Sequence, residues 1–362
     1  MTIDVWGDTP IKPMLAKAVT GIPDGLCYEP KWDGFRCIVQ RVDDTIVLWS
    51  RGSKDLTGYF PELVDSLASA IPERCVIDGE IVIIRNDRLE FERLQERIHP
   101  AESRIRKLAD EIPADFIAFD ILGLGADNLT EHGSAARRRL LESAIDPSPP
   151  RVHLTPHTTD IHIAHDWFTR FEGAGLDGLI GKAPDLDYRP DKRAMVKIKH
   201  KRSADVVVCG YRLHKNSTEE HPLLGSMQLG LFDDRGGLQF IGVASSFPTR
   251  KRAELAQMLR ELVVTPDSAN WDEHPWSAHA AEWDRRPGAI SRWSGSQGRT
   301  EQPGHLILPL LVMEISYDYF EGSRLRHNGQ FVRWRDDREP ESCDYSQIEV
   351  PVPMDIMEVL RA

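Results

Sequence analysis

Apolar and polar positions in the first half of the chain alternate between strand-like and helix-like patterns. Short apolar runs bounded by turn residues predict strands at 35–40, 45–50, 76–84, 115–122, 177–183 and 195–199. Amphipathic spacing predicts helices at 60–70, 91–109, 134–145 and 160–173. Asp43-Asp44 predicts a tight turn between the first two strands. Consecutive hairpin-like strands favour an antiparallel α+β domain over a succession of βαβ units.

The pattern changes after about residue 202. Apolar runs predict five further strands at 204–213, 227–233, 238–245, 310–320 and 331–335, with one helix at 249–263 after the third. Five strands with an inserted helix fit a small Greek-key barrel of the oligonucleotide-binding (OB) type. We therefore predict one domain over 1–200 and an OB-fold domain over 201–362. The polar stretch 268–305 predicts a long loop that is either mobile or functional.

The composition is that of an ordinary soluble protein. It has 362 residues, 41% hydrophobic and 28% charged, which is enough for two domains with real cores. The five cysteines are scattered without a Cys-x-x-Cys pair, which favours reduced thiols over a disulfide framework or a structural zinc. No apolar run approaches the roughly 18 residues of a membrane span. The first residues carry no signal-peptide pattern, so we expect a cytoplasmic location and no membrane partner.

The charge distribution leaves a nucleic-acid partner open. The net charge of −12 argues against a polyanionic ligand, but local fields decide where such a ligand docks. Residues 191–215 carry eight Lys or Arg against two Asp. This basic stretch is either a solvated face or a surface for phosphate contacts.

One lysine stands in an unusual local sequence, "CYEPKWDGFRCIVQ" at 27–40. Its Pro-Lys-Trp-Asp-Gly stretch lies between two strand-like runs and predicts a hairpin-type loop, in which Gly34 is free to take a positive φ. Taken alone, Lys31 would be a solvated loop lysine. The chain has neither a G-x-G-x-x-G nor a G-x-x-x-x-G-K-[ST] loop, so any phosphate would have to be held by side chains.

Further short motifs follow Lys31 in a fixed order. They are "SRG" (50–52), "DGE" (78–80), "FD" (119–120), "DGLIGK" (177–182), "VKIK" (196–199) and "RWRDDR" (333–338). Together with K-x-D-G-x-R at 31–36, this order resembles the covalent nucleotidyltransferase superfamily of ATP-dependent DNA ligases, RNA ligases and capping enzymes. The chain looks most like the compact bacterial ATP-dependent DNA ligases of the actinobacterial ligase C type. Each motif alone is weak, but the ordered set spans almost the whole chain.

The resemblance implies that Lys31 is the nucleophile. It would attack the α-phosphate of ATP and form a lysyl-AMP, with pyrophosphate leaving and Mg²⁺, or Mn²⁺ as an alternative, bridging phosphate oxygens. Lys197 and Lys199 are alternate residues of one predicted strand and share a face. Their charges would lower the pKa of Lys31 and neutralise negative charge on the phosphate.

Other residues match the family's nucleotide contacts. The resemblance implies that Glu29 accepts from the adenine amino group, that Phe119 stacks on the base, that Glu80 holds the ribose, and that Arg36, Arg51, Arg193, Lys197 and Lys199 bind ribose or phosphate. Asp177 stands where the family usually has Glu and is the predicted metal ligand. The nearby Glu172-Gly173 pair reads instead as a helix end with Gly173 as C-cap. Arg335 and Arg338 match the arginines that orient the leaving pyrophosphate.

We therefore predict a nucleotidyltransferase (adenylation) domain followed by the OB-fold domain. The expected activity is sealing of 3′-OH/5′-phosphate nicks in duplex DNA during repair, through lysyl-AMP and DNA-adenylate intermediates. The expected partners are ATP and nicked DNA, with other repair enzymes as further candidates and a monomeric, nucleoid-associated state. The alternatives are an RNA ligase, a capping-type nucleotidyltransferase and a non-catalytic OB-fold DNA-binding scaffold. Glu29 disfavours GTP, and the intact lysine set disfavours the scaffold.

Overall fold

The chain passes between two separately packed units at Lys199 and again at Val350. The computed structural model describes residues 3–7, 9–272, 274–277 and 304–362. Unit 1 contains Met1–Lys199 and Pro351–Ala362, and unit 2 contains His200–Val350. The domain limits 1–200 and 201–362 stay a prediction. In the packing of the chain, the last twelve residues belong to unit 1 and not to the second unit.

Unit 1 is built from short strands with helices between them. Its strands are β1 (Leu15–Ala18), β2 (Cys27–Pro30), β3 (Phe35–Val42), β4 (Thr45–Ser50), β5 (Arg74–Val82), β6 (Ile84–Arg85), β7 (Arg88–Leu89), β8 (Asp115–Leu124), β9 (Asp127–Asn128), β10 (Val152–Leu154), β11 (Leu179–Lys182) and β12 (Arg193–Ile198). Its helices up to this point in the chain are α1 (Pro61–Ala70), α2 (Phe91–Glu96), α3 (Glu102–Glu111), α4 (Ser134–Ala144) and α5 (Ile161–Arg170).

Two main sheets organise unit 1. The smaller has the order β1-β12-β11-β2, and the larger has the order β10-β8-β5-β3-β4 with β9 beside β8. Most neighbours are antiparallel, with β1–β12 and β10–β8 as parallel exceptions. The predicted antiparallel α+β class is confirmed. The predicted hairpin around Lys31 is wrong, because β2 pairs with β11 whereas β3 pairs with β4 and β5. Residues 31–34 therefore cross from one sheet to the other.

Gly34 serves this crossover in a different way from the predicted one. Its φ does not lie in the left-handed region, so the expected positive φ is wrong. A Cβ at this position would lie 2.1 Å from the carbonyl oxygen of Ile81. Glycine is needed because the crossover runs directly against the backbone of β5.

Three local predictions differ in outcome for identifiable reasons. Asp43-Asp44 is the two-residue turn between β3 and β4, with Asp43 at φ 52°, as predicted. The predicted helix 91–109 is split into α2 and α3, because Pro100 cannot continue a helix. Gly173 is not the left-handed C-cap, a position that Gly175 takes with φ 90°. A Cβ on Gly173 would lie 1.8 Å from the carbonyl oxygen of Val352, so Gly173 allows close backbone packing instead.

The cores of unit 1 place the crossover between the sheets. One core lies on the large sheet under α1 and contains Phe60, Leu63 and Phe116. Another joins residues of both sheets, such as Ile117 of β8 and Leu179 of β11. The large and small sheets are thus packed against each other by buried apolar side chains, close to where the chain crosses from β2 to β3.

Unit 2 contains an antiparallel sheet and one long helix. Its elements are β13 (Arg202–Leu213), β14 (Leu224–Phe232), β15 (Leu238–Ala244), α6 (Thr249–Arg260), β16 (Val263–Val264), β17 (His305–Tyr317), β18 (Phe320–Glu321), β19 (Arg324–Leu325) and β20 (Gln330–Trp334). The sheet order is β15-β14-β13-β17-β16, with β20 also paired to β17. The five predicted strands and the helix after the third are all present, so the predicted fold class is confirmed. Most of the predicted loop 268–305 lies outside the described residues.

After unit 2 the chain returns to unit 1, where α7 (Ile356–Leu360) ends the chain. Ile356 and Val359 are fully buried in the core that also contains Trp167 and Phe171. Across the described ranges, no helix combines the length and the apolar character that crossing a membrane requires.

Candidate active site

A cavity of about 210 Å³ opens in unit 1 where its two main sheets meet. Its walls come from β1, β2, β11 and β12 of the small sheet and from β3, β5 and β8 of the large sheet. The predicted site residues that line it are Glu29, Lys31, Arg36, Arg51, Glu80, Phe119, Arg193 and Lys197. Residues spread over most of unit 1 in sequence are thus gathered around one concave surface.

Strand register explains how Lys31 reaches this cavity beside two other charged residues. Leu179 of β11 lies opposite Pro30 of β2 on one side and Ile198 of β12 on the other. Lys31 comes directly after Pro30 and Lys199 directly after Ile198, whereas Asp177 comes two residues before Leu179. Because β11 runs antiparallel to both neighbours, all three residues lie at the same end of the three strands. The backbone confirms the alignment, since Lys31 N donates to Gly178 O at 2.8 Å and Asp177 N donates to Lys31 O at 3.1 Å.

Asp177 is held between two lysines. Its Oδ2 lies 2.6 Å from Lys31 Nζ and 2.8 Å from Lys199 Nζ. Burial alone would raise the pKa of Asp177, but the two ammonium groups outweigh burial and lower the pKa to about 2. The carboxylate is therefore ionised at neutral pH, and one of its oxygens is already shared by two cations.

Lys197 is the lysine of the predicted pair that faces the cavity. Burial, followed by the neighbouring charges of Lys199 and Lys31, lowers the pKa of Lys197. Lys197 lies opposite Ile180 of β11, another cavity residue. Lys31 and Lys197 thus line the cavity, while Lys199 pairs with Asp177 beside it.

Glu29 is buried in an ion pair with Lys182. The Nζ of Lys182 lies 3.0 Å from Oε1 and 2.9 Å from Oε2 of Glu29. The same ammonium donates to the carbonyl of Phe119 at 3.0 Å and lies 3.8 Å from Asp120. Sequence reasoning included Lys182 in a motif but gave it no role. Its alternation with Ile180 in β11 could have indicated that it faces the same cavity.

Arg36 is fixed by a buried carboxylate and an aromatic ring. Its Nε and Nη2 each donate to Asp78 at 2.6 Å, and its guanidinium carbon lies 4.3 Å from the ring centroid of Phe119. Burial opposes the charge of Arg36, but Asp78 outweighs it and raises the pKa of the guanidinium above its ordinary value. Tyr188 donates to Asp78 at 2.6 Å and accepts from Met14 N at 3.0 Å.

Glu80 faces the same space from β5. It lies opposite Arg36 in the sheet register and lines the cavity. Burial raises the pKa of Glu80 to about 7, although the charges of Arg36 and Lys31 act in the opposite direction. The protonation of Glu80 therefore changes near neutral pH.

A second buried ion pair, between Arg137 and Asp120, lies next to Lys182. Arg137 of α4 donates to both oxygens of Asp120, at 2.7 and 3.0 Å, and its Nη1 donates to Leu186 O at 2.9 Å. Both side chains are almost completely buried. Sequence reasoning gave Arg137 no role, although it is one of three consecutive arginines on α4.

Arg335 and Arg338 belong to unit 2 and are described with it. The Nη1 of Arg335 lies 2.7 Å from Asp205 Oδ2, and its Nε and Nη2 donate to the two oxygens of Asp337 at 2.8 Å each. Arg338 Nη1 lies 3.7 Å from the same oxygen of Asp205. Asp205 was not predicted as a site residue.

The protein side chains at the site could hold a metal ion only together with oxygens from a bound nucleotide. Within the described part of the chain, no three or more His, Cys, Asp or Glu side chains come together as a metal site. Asp177 offers one carboxylate beside the cavity. Mg²⁺ is commonly held by one or two carboxylates together with substrate phosphates, so Asp177 fits a metal that arrives with a nucleotide.

Fold and cavity together define a nucleotidyltransferase domain, with a lysine in a charged pocket, followed by a smaller β domain. Residues 13–199 match the family described as the ATP dependent DNA ligase domain, and residues 220–338 match the ATP dependent DNA ligase C terminal region. The chain belongs to the ATP-dependent DNA ligases. Membership in this family implies the use of ATP and a divalent metal, and binding of DNA.

Curated relatives agree with this assignment over the full length. DNA ligase C of Mycobacterium tuberculosis is 47% identical over 356 residues, covering 97% of each chain. DNA ligase C2 of Mycolicibacterium smegmatis is 48% identical over 347 residues, covering 94% of this chain and 95% of that protein. The solved structure of a Lig E DNA ligase aligns over 90% of this chain and 99% of its own, with a TM-score of 0.53 at 15% identity, which shows a shared fold.

Proposed function

We propose that this ligase seals 3′-OH/5′-phosphate nicks in duplex DNA, in repair, and that Lys31 carries AMP as a covalent intermediate. One observation carries the proposal. The side chain of Lys31 lines the cavity of unit 1 together with seven other residues predicted to bind a nucleotide, namely Glu29, Arg36, Arg51, Glu80, Phe119, Arg193 and Lys197.

The first chemical step follows from the position of Lys31. After losing a proton, its Nζ attacks the α-phosphorus of ATP, an N–P bond forms, and the P–O bond to pyrophosphate breaks. Lys197, Arg193 and Arg51 line the same cavity and supply positive charge for the phosphate oxygens. Fixed cations of this kind stabilise the charge that develops in the transition state.

Asp177 has a role that changes as the reaction proceeds. The proposed Mg²⁺, or Mn²⁺ in its place, would be held by Asp177 and by phosphate oxygens of ATP, and would neutralise charge on the reacting phosphate. Before the step, Asp177 shares one oxygen between Lys31 and Lys199. Once Lys31 becomes a phosphoramidate, it loses its positive charge, and Lys199 is left as the lysine partner of this carboxylate.

Glu29 and Phe119 would recognise the adenine. A carboxylate has about four acceptor sites, so Glu29 can accept from the adenine amino group while Lys182 holds it from the other side. Phe119 would stack on the base with a ring that Arg36 and Lys182 also approach, at 4.3 and 5.3 Å from its centroid. Lys182 contacts both residues, so base recognition would depend on one buried ammonium group.

Labelling with ATP tests the proposal directly. The full chain is incubated with α-labelled ATP, denatured, and examined for acid-labile label on the protein. Lys31→Ala should lose the label and nick sealing together. Lys31→Arg should do no better, because a guanidinium does not deprotonate at accessible pH.

The matched control is Lys107→Ala, an exposed lysine on α3 that should label like the wild type. Label that persists on Lys31→Ala at the wild-type level would show that another residue carries AMP. Comparing α-labelled ATP with α-labelled GTP on the wild type separates a ligase from a capping-type enzyme.

A further inference from the structure

A buried carboxylate lies beneath the two arginines proposed to act on pyrophosphate. Asp205, on β13, has a side chain only 10% exposed. One of its oxygens, Oδ2, lies 2.7 Å from Arg335 Nη1 and 3.7 Å from Arg338 Nη1. The two arginines come just after β20, at the other end of unit 2 in sequence, and converge on this single oxygen.

The backbone of Asp205 is fixed by a side chain from outside the sheet. Asp205 N donates to Gln347 Oε1 at 2.7 Å, and Gln347 Nε2 donates back to Asp205 O at 3.0 Å. This reciprocal pair holds the strand at one residue. The carboxylate is therefore presented from a rigid position rather than from a mobile loop.

The second oxygen of Asp205, Oδ1, is buried without a hydrogen-bond partner among the described residues, which does not favour the folded state. A buried acceptor without a partner is unfavourable, so packing by itself would favour a different side chain here. A carboxylate is needed at this place only if its charge acts on the arginines.

The contacts of Arg335 divide its guanidinium into an inner and an outer part. Nη1 points to the buried Asp205, while Nε and Nη2 donate to Asp337, whose side chain is 65% exposed. The Nε–Nη2 edge offers two parallel N–H groups, the geometry that binds phosphate in a bidentate manner. An exposed carboxylate on this edge can be exchanged for an anionic ligand, whereas the buried contact stays in place.

We propose that Asp205 is a positioning residue for the reaction with ATP: it anchors Arg335 through Nη1 and so presents the Nε–Nη2 edge to the β- and γ-phosphates. The inference rests on the role in orienting pyrophosphate that the family resemblance predicts for Arg335, within the proposed reaction of Lys31 with ATP. It predicts a defect confined to formation of enzyme–AMP, because no pyrophosphate leaves when a pre-adenylated nick is sealed.

The test is Asp205→Asn in the full chain, which keeps the shape of the side chain and removes its charge. Two rates are measured on the same preparation, label transfer from ATP and sealing of pre-adenylated nicked DNA without ATP. Label transfer should fall by about 10- to 100-fold, the effect of losing a charged hydrogen bond, while sealing stays within about 2-fold of the wild type. Retained sealing also shows that the variant is folded.

Glu314→Gln is the matched control. Glu314 lies opposite Asp205 in the register and pairs at 2.7 Å with Arg333 of β20, an arginine for which no contact with pyrophosphate is predicted. It should leave both rates unchanged. If Asp205→Asn does not fold, Asp205→Glu decides, since it keeps the charge but shifts it by one methylene and should slow label transfer selectively.

A double-mutant comparison separates this role from a merely structural one. If Asp205 acts through Arg335, the variant Asp205→Asn/Arg335→Ala should transfer label no more slowly than Arg335→Ala alone. Label transfer at the wild-type rate in Asp205→Asn, or multiplying defects in the double variant, would overturn the inference. If Arg335→Ala itself transfers label normally, the proposed role of Arg335 fails and the inference with it, while adenylation of Lys31 stands.

Discussion

At the scale of single residues, the charges around the cavity are held in opposite pairs. Glu29 pairs with Lys182, Arg36 with Asp78, and Asp177 with Lys31. Removing one partner of a buried pair leaves an uncompensated charge, which typically costs about 3–5 kcal/mol. The pairs therefore fix the geometry of the pocket before a nucleotide arrives, and most single substitutions in it should affect stability as well as activity.

Glu80 should make folding stability fall as pH rises. Its pKa rises from an ordinary value of 4.5 to about 7 in the folded protein because of burial. Between these values the folded state binds more protons than the unfolded state, so the free energy of unfolding decreases with pH across this window. We expect Glu80→Gln to remove this slope and to gain at most about 3 kcal/mol above pH 7 relative to the wild type.

Chemical denaturation at pH 5 and pH 8 measures this effect. Glu92→Gln, on the first turn of α2, is the control and should keep the pH slope of the wild type. An equal pH slope in Glu80→Gln and the wild type would mean that Glu80 does not carry the raised pKa.

The motif residues could be predicted from sequence, but their partners could not. Lys31, Glu80 and Phe119 stand in short patterns whose order along the chain is informative. Their neighbours depend on strand register between distant segments, as when β11 places Lys182 beside Glu29. Arg137 could not be singled out, because nothing in "ARRRLL" (136–141) shows which of the three arginines contacts Asp120.

At the scale of elements, the meeting of Lys31, Asp177 and Lys199 depends on how closely β2, β11 and β12 approach. Gly178 stands at the narrowest point, with φ 121° and room for no side chain, since a Cβ would lie 2.0 Å from the carbonyl oxygen of Ile198. Gly178 separates the predicted metal ligand Asp177 from β11. Both its positive φ and its close contact with Ile198 require glycine at this position.

Gly178→Ala should therefore lower both stability and label transfer. The backbone conformation alone costs about 1–3 kcal/mol for a residue with a Cβ, and the contact with Ile198 adds to this. We expect a lower melting temperature and at least about 10-fold slower formation of enzyme–AMP, because Asp177 and Lys31 would no longer align.

Gly21→Ala is the control for Gly178→Ala. Gly21 also has a positive φ, 73°, but a Cβ there meets nothing within 4 Å. It should reproduce the conformational cost and leave label transfer unchanged. Equal label transfer in the two variants would show that the alignment of β11 with β2 and β12 does not matter for the reaction.

Sequence patterns predicted the long strands better than the short strands and the segments that join strands. The longer strands of the main sheets were predicted because their apolar runs are distinct, whereas the short strands β1 and β10 were missed. The residues around Lys31 suit a hairpin and a crossover equally well. Only the pairing of β2 with β11, more than 140 residues away, decides between them.

At the scale of the whole molecule, unit 2 is an insertion between two parts of unit 1. The chain leaves unit 1 after Lys199 and returns to it at Pro351. The returning segment is anchored by α7, where Ile356 N donates to Asp87 O at 2.8 Å. A fragment that ends near residue 200 lacks this segment, so the activity of such a fragment would report on a damaged unit 1 as well as on the loss of unit 2.

Ile356→Ala in the full chain should therefore destabilise unit 1, although only six residues of the sequence follow Ile356. Ile356 is fully buried among Trp167, Phe171 and other core residues, and a large-to-small change at such a site costs about 2–5 kcal/mol. Val352→Ala is the matched control, because Val352 is 83% exposed and its loss should change stability by less than about 0.5 kcal/mol. Calorimetry of both variants checks the expectation. If Ile356→Ala melts like Val352→Ala, the C-terminal segment is not part of the unit 1 core, and unit 2 would be tethered at one end only.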